Sequence, residues 1–284
     1  MLLRIEANIP SYLFGALHQA PESFRRHLDR ALEFLAEADT VCFEGLSSEG
    51  YDHLRIALSY EVYPDFWSDD DRAIAVRVRN TMMLPKEETL NSALPTDLYD
   101  ELKRYVESSN ASMQKLEVER YSVSALAFTV PRKPSVHTLS MDAELRRHAR
   151  ALGKQSLYLD DFSQFLVCEH LSRQEEVEFL RRSLRKPSGD HDEKFAMYDR
   201  GDFEGVYSVD GASLVLSDRE APEWEKDIFR KSNRDRNRLW LDKLLPHIGQ
   251  RKLFIACGAA HLGGPDGLVR LIQDRGFTVT QLSE

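Results

Sequence analysis

One four-residue pattern, Gly-x-x-His, occurs near both ends of this chain in the same local context. It occupies residues 15–18 (GALH) after the apolar run 12–14 (YLF), and residues 258–261 (GAAH) after the run 253–257 (LFIAC). Each histidine is followed by a predicted helix and then by a further apolar run. The sequence therefore predicts a strand–GxxH–helix–strand unit at each end, and two such units restrict the chain to an α/β fold.

The residues that directly follow these strands are candidates for chemistry. Parallel α/β units place the carboxyl ends of their strands at one edge of the sheet, where ligand crevices form. Both GxxH turns are expected at that edge, and so is Glu44, which follows the apolar run 41–43 (VCF). Glycine is expected in the turns because it adopts dihedrals that other residues resist and leaves room for a ligand. We therefore predict that His18, Glu44 and His261 face one pocket.

Five blocks of sequence carry a resemblance to a known family. In chain order they are residues 11–18, 41–44, 141–154, 236–237 and 258–268. The last block (GAAHLGGPDGL) is the most specific. In order and spacing these blocks resemble the TraB/PrgY/GumN family, which includes the animal Tiki proteins, over nearly the whole chain.

The resemblance implies a metal-dependent hydrolase, most readily a peptidase, as proposed for the Tiki branch. It implies that His18, Glu44 and His261 form the active site and bind a divalent ion, with Glu44 as a ligand or as the base acting on bound water. Two imidazoles and one carboxylate suit several first-row metals. The Tiki branch favours Mn²⁺ or Co²⁺, with Zn²⁺ as a further option.

The resemblance adds three residues to the candidate site. Arg236 and Asn237 match a family pair on a late helix, within an arginine-rich stretch that would otherwise be an exposed helix face. The guanidinium of Arg236 suits a substrate carboxylate or an oxyanion, and Asn237 suits orientation of a ligand. Asp142 is a weaker candidate, which would support a metal ligand from behind.

The chain departs from the family pattern at two places. Glu44 is followed by Gly45 and Leu46, where many relatives carry an apolar residue and an aspartate. Residues 158–161 (YLDD) stand where relatives often have a glutamate after the apolar run. The first departure removes a supporting carboxylate, and the second is expected to alter how the pocket is braced.

Two alternative functions remain open. In the first, hydrolysis needs no metal: His18 is the general base, Glu44 orients it, and the substrate is an ester or lactone, as in the distantly similar erythromycin esterases. In the second, the crevice binds a peptide or haem without turning it over, a role seen in the wider ChaN-like group.

Composition narrows the class of partner. With a net charge of −9, 42% hydrophobic residues and 30% charged residues, the chain is typical of a globular protein and disfavours nucleic acid as a partner. No apolar stretch approaches the ~20 residues that span a bilayer, and no signal peptide is visible. We expect a soluble, cytoplasmic protein that acts on a peptide or small molecule. The three cysteines, Cys42, Cys168 and Cys257, lack CxxC spacing and are expected to be buried packing residues.

The remaining sequence is mostly helical. Leu28, Ala31 and Leu35 lie on one apolar stripe of the first crossover helix, and Ser140 is a predicted cap for a helix that ends at Gly153. The predicted architecture is a central mixed sheet built from two β–GxxH–α–β halves and flanked by helices. We expect a single domain, 1–284, with a helical insertion at about 51–134.

Overall fold

A computed structural model describes residues 1–59, 67–108, 118–129, 139–185 and 191–282. The centre of the molecule is one mixed sheet, which confirms the predicted fold class. Its strands are β1 Leu2–Glu6, β2 Ser11–Ala16, β3 Thr40–Phe43, β4 Gln155–Tyr158, β5 Leu253–Gly258 and β6 Thr278–Gln281. Across the sheet these strands lie in the order β4-β3-β5-β2-β1-β6.

The strand from the end of the chain lies in the middle of the sheet. β5 pairs in parallel with both β2 and β3, and β3 pairs in parallel with β4. β1 is antiparallel to β2 and to β6. The β2–β5 register pairs Gly15 with Cys257 and Ala16 with Gly258. The two GxxH motifs therefore leave neighbouring parallel strands at almost the same level.

The described helices surround this sheet. They are α1 Arg25–Glu37, α2 Ser48–Leu58, α3 Asp69–Met82, α4 Leu90–Ala93, α5 Thr96–Glu107, α6 Val123–Thr129, α7 Met141–Ala151, α8 Arg173–Arg185, α9 His191–Asp199, α10 Phe203–Ser208, α11 Gly211–Ser217, α12 Glu223–Phe229, α13 Arg236–Leu244 and α14 Leu268–Gln273. A π-helical turn, Arg230–Asp235, joins α12 to α13. Turns of this kind often occur at functional sites.

Local sequence signals predict several of these helices correctly. Leu28, Ala31 and Leu35 of α1 are fully buried. The Ser140 side chain caps α7 by accepting a hydrogen bond from the Ala143 amide, and Gly153 follows the helix with a φ of +63°. The helices after the GxxH motifs begin later than a direct strand–helix turn requires, at Arg25 and at Leu268.

The apolar core has two main parts among the described residues. The larger part packs both faces of the sheet. The smaller part joins helices of the predicted insertion to later helices, through Leu98 and Leu102 on α5 and Phe179 and Leu180 on α8. The single-domain organisation with an insertion at about 51–134 stays a prediction. Within that span, residues 60–66, 109–117 and 130–134 lie outside the described residues.

Two further observations concern the predicted lack of a membrane span and the predicted burial of the cysteines. Within the described ranges, no helix is both long enough and apolar enough to span a bilayer. The three cysteines are buried free thiols, as expected from their spacing. Burial raises the pKa of the Cys42 thiol to about 12, so this thiol is not a nucleophile near neutral pH.

Candidate active site

The predicted site residues follow three adjacent strands at one edge of the sheet. His18 lies just beyond β2, Glu44 directly follows β3, and His261 closes the turn after β5. A Cβ atom built at Gly258 would lie 3.3 Å from Glu44 Oε2, 3.3 Å from His18 Nε2 and 3.5 Å from His261 Cδ2. The structure thus brings the three side chains together above the bare α-carbon of Gly258.

The two GxxH glycines are required for space, and the expectation that their dihedrals select glycine is wrong. Gly258 has φ −55° and ψ 136°, a conformation open to any residue, and Gly15 is not among the positive-φ glycines. A Cβ atom at Gly15 would lie 2.6 Å from Leu262 Cδ1 and 3.1 Å from Ala259 Cα. Gly15 therefore lets the second GxxH turn pack against β2, whereas Gly258 keeps the space between the site side chains open.

The Glu44 carboxylate is buried and held at both oxygens. Its Oε1 accepts a hydrogen bond from Arg236 Nη2 at 2.9 Å, and its Oε2 accepts one from the Gly258 amide at 2.7 Å. Burial opposes ionisation, but His261 and His18, in the protonated forms they take in acid, together with Arg236 and the Gly258 hydrogen bond, hold the Glu44 pKa well below its usual range. The carboxylate is ionised at neutral pH.

The neighbouring imidazole of His261 is neutral. Burial is the main cause that lowers the pKa of His261 to about 4. The permanent positive charge beside Glu44 near pH 7 is therefore the Arg236 guanidinium. Arg236 itself has a raised pKa, because Glu44 and Asp160 outweigh the effect of its burial.

The tautomer of His261 follows from its partner Asn237. The Asn237 side chain donates from Nδ2 to the carbonyl of Asp266 at 2.8 Å and to that of His261 at 3.4 Å. Since carbonyls only accept, these contacts assign the amide orientation, and Asn237 Oδ1 must accept from His261 Nδ1 at 2.7 Å. The lone pair of the neutral ring is therefore on Nε2, 3.7 Å from Glu44 Oε1. Two acceptors in this arrangement favour a cation or a hydrogen-bond donor between them.

His18 has the same arrangement on the exposed side of the site. Its Nδ1 lies 2.6 Å from Oδ2 of Asp142, the second residue of α7. A carboxylate only accepts, so Nδ1 carries the proton and the neutral ring has its lone pair on Nε2. The GxxH turn around it is tied to the fold because Met141 N donates to Leu17 O at 3.2 Å and the buried Tyr198 hydroxyl donates to Gly15 O at 2.6 Å.

Arg236 lies between two carboxylates. Besides Glu44, it contacts Asp160 through Nε at 3.0 Å and through Nη2 at 2.7 Å. Its side chain is only 17% exposed. These contacts favour a role in holding Glu44, and a direct contact of Arg236 or Asn237 with substrate stays a prediction.

Two residues of this site were not named as site residues from the sequence. Asp160 belongs to the stretch 158–161, which was expected to affect how the pocket is braced, and it lies two positions after β4, whereas Glu44 directly follows β3. Arg146 lies four positions after Asp142 on α7, a spacing that places two side chains on one helix face. Its guanidinium donates to the Glu44 carbonyl and reaches that of Leu46 at 3.5 Å.

Gly45, the residue after Glu44, lies against the Arg146 guanidinium. Gly45 has a φ of +93°, and a Cβ atom there would lie 2.7 Å from Arg146 Nη2. The backbone at this position favours glycine, and a side chain there would also require the Arg146 guanidinium to shift. The Gly45 amide donates to Asp160 Oδ2 at 2.6 Å.

The histidine and glutamate side chains of the site are of types that bind divalent ions. They are not, however, arranged around a common point. Among the described residues, no group of three or more His, Cys, Asp and Glu side chains is arranged to hold a metal ion. Both Glu44 oxygens already accept hydrogen bonds, from Arg236 and from the Gly258 amide. Two ligands of one tetrahedral ion lie about 3.4 Å apart when each bond is about 2.1 Å. The 3.7 Å between His261 Nε2 and Glu44 Oε1 is close to that separation.

A cavity of about 330 Å³ lies beside these residues. Its lining includes Leu46, His53, Tyr158, Asp160 and Phe162. Leu46 follows Glu44 closely in the chain, and Asp160 contacts Arg236, so the cavity adjoins the site. The cavity lining also includes Ser47 and Glu49, so the cavity combines polar and charged groups with apolar and aromatic ones.

The fold and the site define an α/β protein with two GxxH turns and a glutamate at one edge of its sheet. The chain belongs to the TraB/PrgY/gumN family, whose model matches residues 1–281. This match confirms the resemblance inferred from the sequence blocks. No curated protein and no solved structure matches the chain.

Proposed function

We propose that this protein is a metal-dependent hydrolase, most readily a peptidase, with His18, Glu44 and His261 as its metal-binding residues. The observation that carries the proposal is the direction of the two imidazoles. Asp142 and Asn237 each accept from an Nδ1–H, which leaves the Nε2 of each ring as the ligand atom; His18 Nε2 is near Gly258, and His261 Nε2 is 3.7 Å from Glu44 Oε1. Oxygen acceptors commonly hold metal-bound histidines in this way.

The side chains of this chain have separable roles in the proposed reaction. The ion, when bound, supplies a polarised carbonyl and a water of lowered pKa. Glu44 is ionised and adjacent, which suits a ligand of the ion; as the base for the attacking water it would be weaker than an ordinary glutamate, because its pKa is lowered. Arg236 and the Gly258 amide hold that carboxylate in place. The cavity lined by Leu46 and Asp160, which neighbour Glu44 in the chain and Arg236 in space, is the candidate place for a substrate, and the choice of a peptide rests on the family resemblance.

A second candidate, hydrolysis without a metal, is favoured by the His18–Asp142 pair. An imidazole held by a carboxylate at 2.6 Å has the geometry of a general base and its orienting group. The sequence assigned the orienting role to Glu44, but the carboxylate bonded to His18 is Asp142. In this version Glu44 stays paired with Arg236, and the substrate is an ester or lactone.

The test is the metal content of purified protein after loading with Mn²⁺, Co²⁺ or Zn²⁺. We expect about one equivalent in the wild type and little in the folded double variant His18→Ala/His261→Ala. His170→Ala is the matched control, because this histidine is exposed and outside the site. Equal metal content in all three proteins would overturn the metal-dependent proposal. Hydrolysis of an ester panel that persists with a strong chelator would support the second candidate.

A further inference from the structure

Asp160 is a buried carboxylate that the proposed chemistry does not use. Its side chain is 1% exposed, yet all of its hydrogen-bonding capacity is filled. Oδ1 accepts from Arg236 Nε at 3.0 Å and from Trp240 Nε1 at 2.8 Å. Oδ2 accepts from Arg236 Nη2 at 2.7 Å and from the Gly45 amide at 2.6 Å. Four donors thus meet about four lone-pair sites.

Two of the residues that donate to Asp160, Arg236 and Trp240, also contact Glu44 and His261 of the candidate site. Arg236 Nη2 also donates to Glu44 Oε1 at 2.9 Å. The Trp240 ring lies against the His261 ring, with centroids 4.5 Å apart and planes at 47°. The Arg236 guanidinium also lies over the Trp240 ring, with its Cζ 4.7 Å from the ring centroid.

We propose that Asp160 is a positioning residue that orients Glu44 through Arg236 and orients His261 through Trp240. The inference rests on the proposed function only in taking Glu44 and His261 as the reacting groups. It accounts for residues 158–161, where the sequence departs from the family pattern. The Asp160 carboxylate holds Arg236 and Trp240 in place and does not itself enter the site.

Because every hydrogen-bonding position of the Asp160 carboxylate is occupied, the substitution Asp160→Asn tests its positioning role sensitively. In Asp160→Asn one oxygen becomes an NH₂ group, and in either amide orientation that group faces two donors. At least two of the four hydrogen bonds are lost while shape and volume are kept. Asp161→Asn is the matched control, because Asp161 is the next residue and its side chain is 49% exposed.

The readout is the NMR spectrum of the folded proteins, checked first for cooperative thermal unfolding. In Asp160→Asn we expect the indole Nε1–H signal of Trp240 and the ring signals of His261 to move, and in Asp161→Asn to stay. Assignments come from Trp240→Phe and His261→Gln. Wild-type His261 ring signals in folded Asp160→Asn would overturn the orientation of His261 through Trp240. If Asp160→Asn does not fold, Trp240→Phe decides, because it keeps a ring but removes the donor to Asp160.

A Mn²⁺ titration separates this proposal from the proposed function. If the wild type binds Mn²⁺, we expect Asp160→Asn to bind it about 10- to 100-fold more weakly, and Asp161→Asn to bind it normally. If the wild type binds none of the loaded metals, the metal-dependent function fails and the NMR signals still decide the positioning role. Normal Mn²⁺ affinity together with unmoved His261 signals in Asp160→Asn would overturn the positioning role alone.

Discussion

Gly258→Ala should weaken metal binding at least about 100-fold and leave the fold intact. The added Cβ would lie 3.3 Å from Glu44 Oε2 and from His18 Nε2, the point where the site side chains meet. The backbone of Gly258, with φ −55° and ψ 136°, accepts alanine without strain. Restriction of the unfolded chain stabilises by about 0.4–1 kcal/mol, and displacement of the side chains by a few tenths of an ångström opposes this. We expect a free energy of unfolding within about 1 kcal/mol of the wild-type value.

The expected loss of metal affinity is much larger. Metal–ligand distances tolerate deviations of only about 0.2 Å, and the methyl group both displaces Glu44 and His18 and occupies the space between them. Loss of a supporting partner alone weakens metal binding by about 10- to 100-fold. We therefore expect at least about a 100-fold loss, or about 3 kcal/mol.

Gly15→Ala is the matched control, because it adds the same methyl group to the first GxxH motif. There the Cβ would lie 2.6 Å from Leu262 Cδ1 and 3.1 Å from Ala259 Cα. Overpacking of this kind costs about 1–3 kcal/mol. Urea unfolding measures both stabilities, and calorimetric titration with the ion that the wild type retains measures affinity. Wild-type affinity in Gly258→Ala, or a loss of stability equal to that of Gly15→Ala, would refute the reasoning.

Two further predictions concern His261 and its partner. Burial lowers the His261 pKa to about 4, below the value of about 6.5 in an unfolded chain, so the unfolded state gains a proton first as pH falls. The free energy of unfolding should then decrease between about pH 6.5 and 4, by up to about 1.4 kcal/mol per pH unit; the same slope in His261→Gln would contradict this. Asn237→Asp places an acceptor against the Asp266 carbonyl and should cost about 1–3 kcal/mol in urea unfolding; unchanged stability would argue against the assigned amide orientation.

The sequence determined the parts of this protein that depend on neighbouring residues. Apolar runs that end in GxxH or in glutamate indicated the strands β2, β3 and β5, and a 3.6-residue stripe indicated α1. A strand end is a local signal, because the polar residue after it must leave the sheet at the edge where the other strands end. Hence His18, Glu44 and His261 were placed at one pocket from the sequence.

Only the tertiary structure decided how these side chains are held. The insertion of β5 between β2 and β3 sets the level at which the two GxxH turns meet. The partners of the site come from distant segments, with Asp142 and Arg146 on α7 and Asp160 after β4. The reason for each GxxH glycine was also a contact with a distant segment, and not a local dihedral. Such contacts join residues far apart in the chain, and no local pattern records the distance between them.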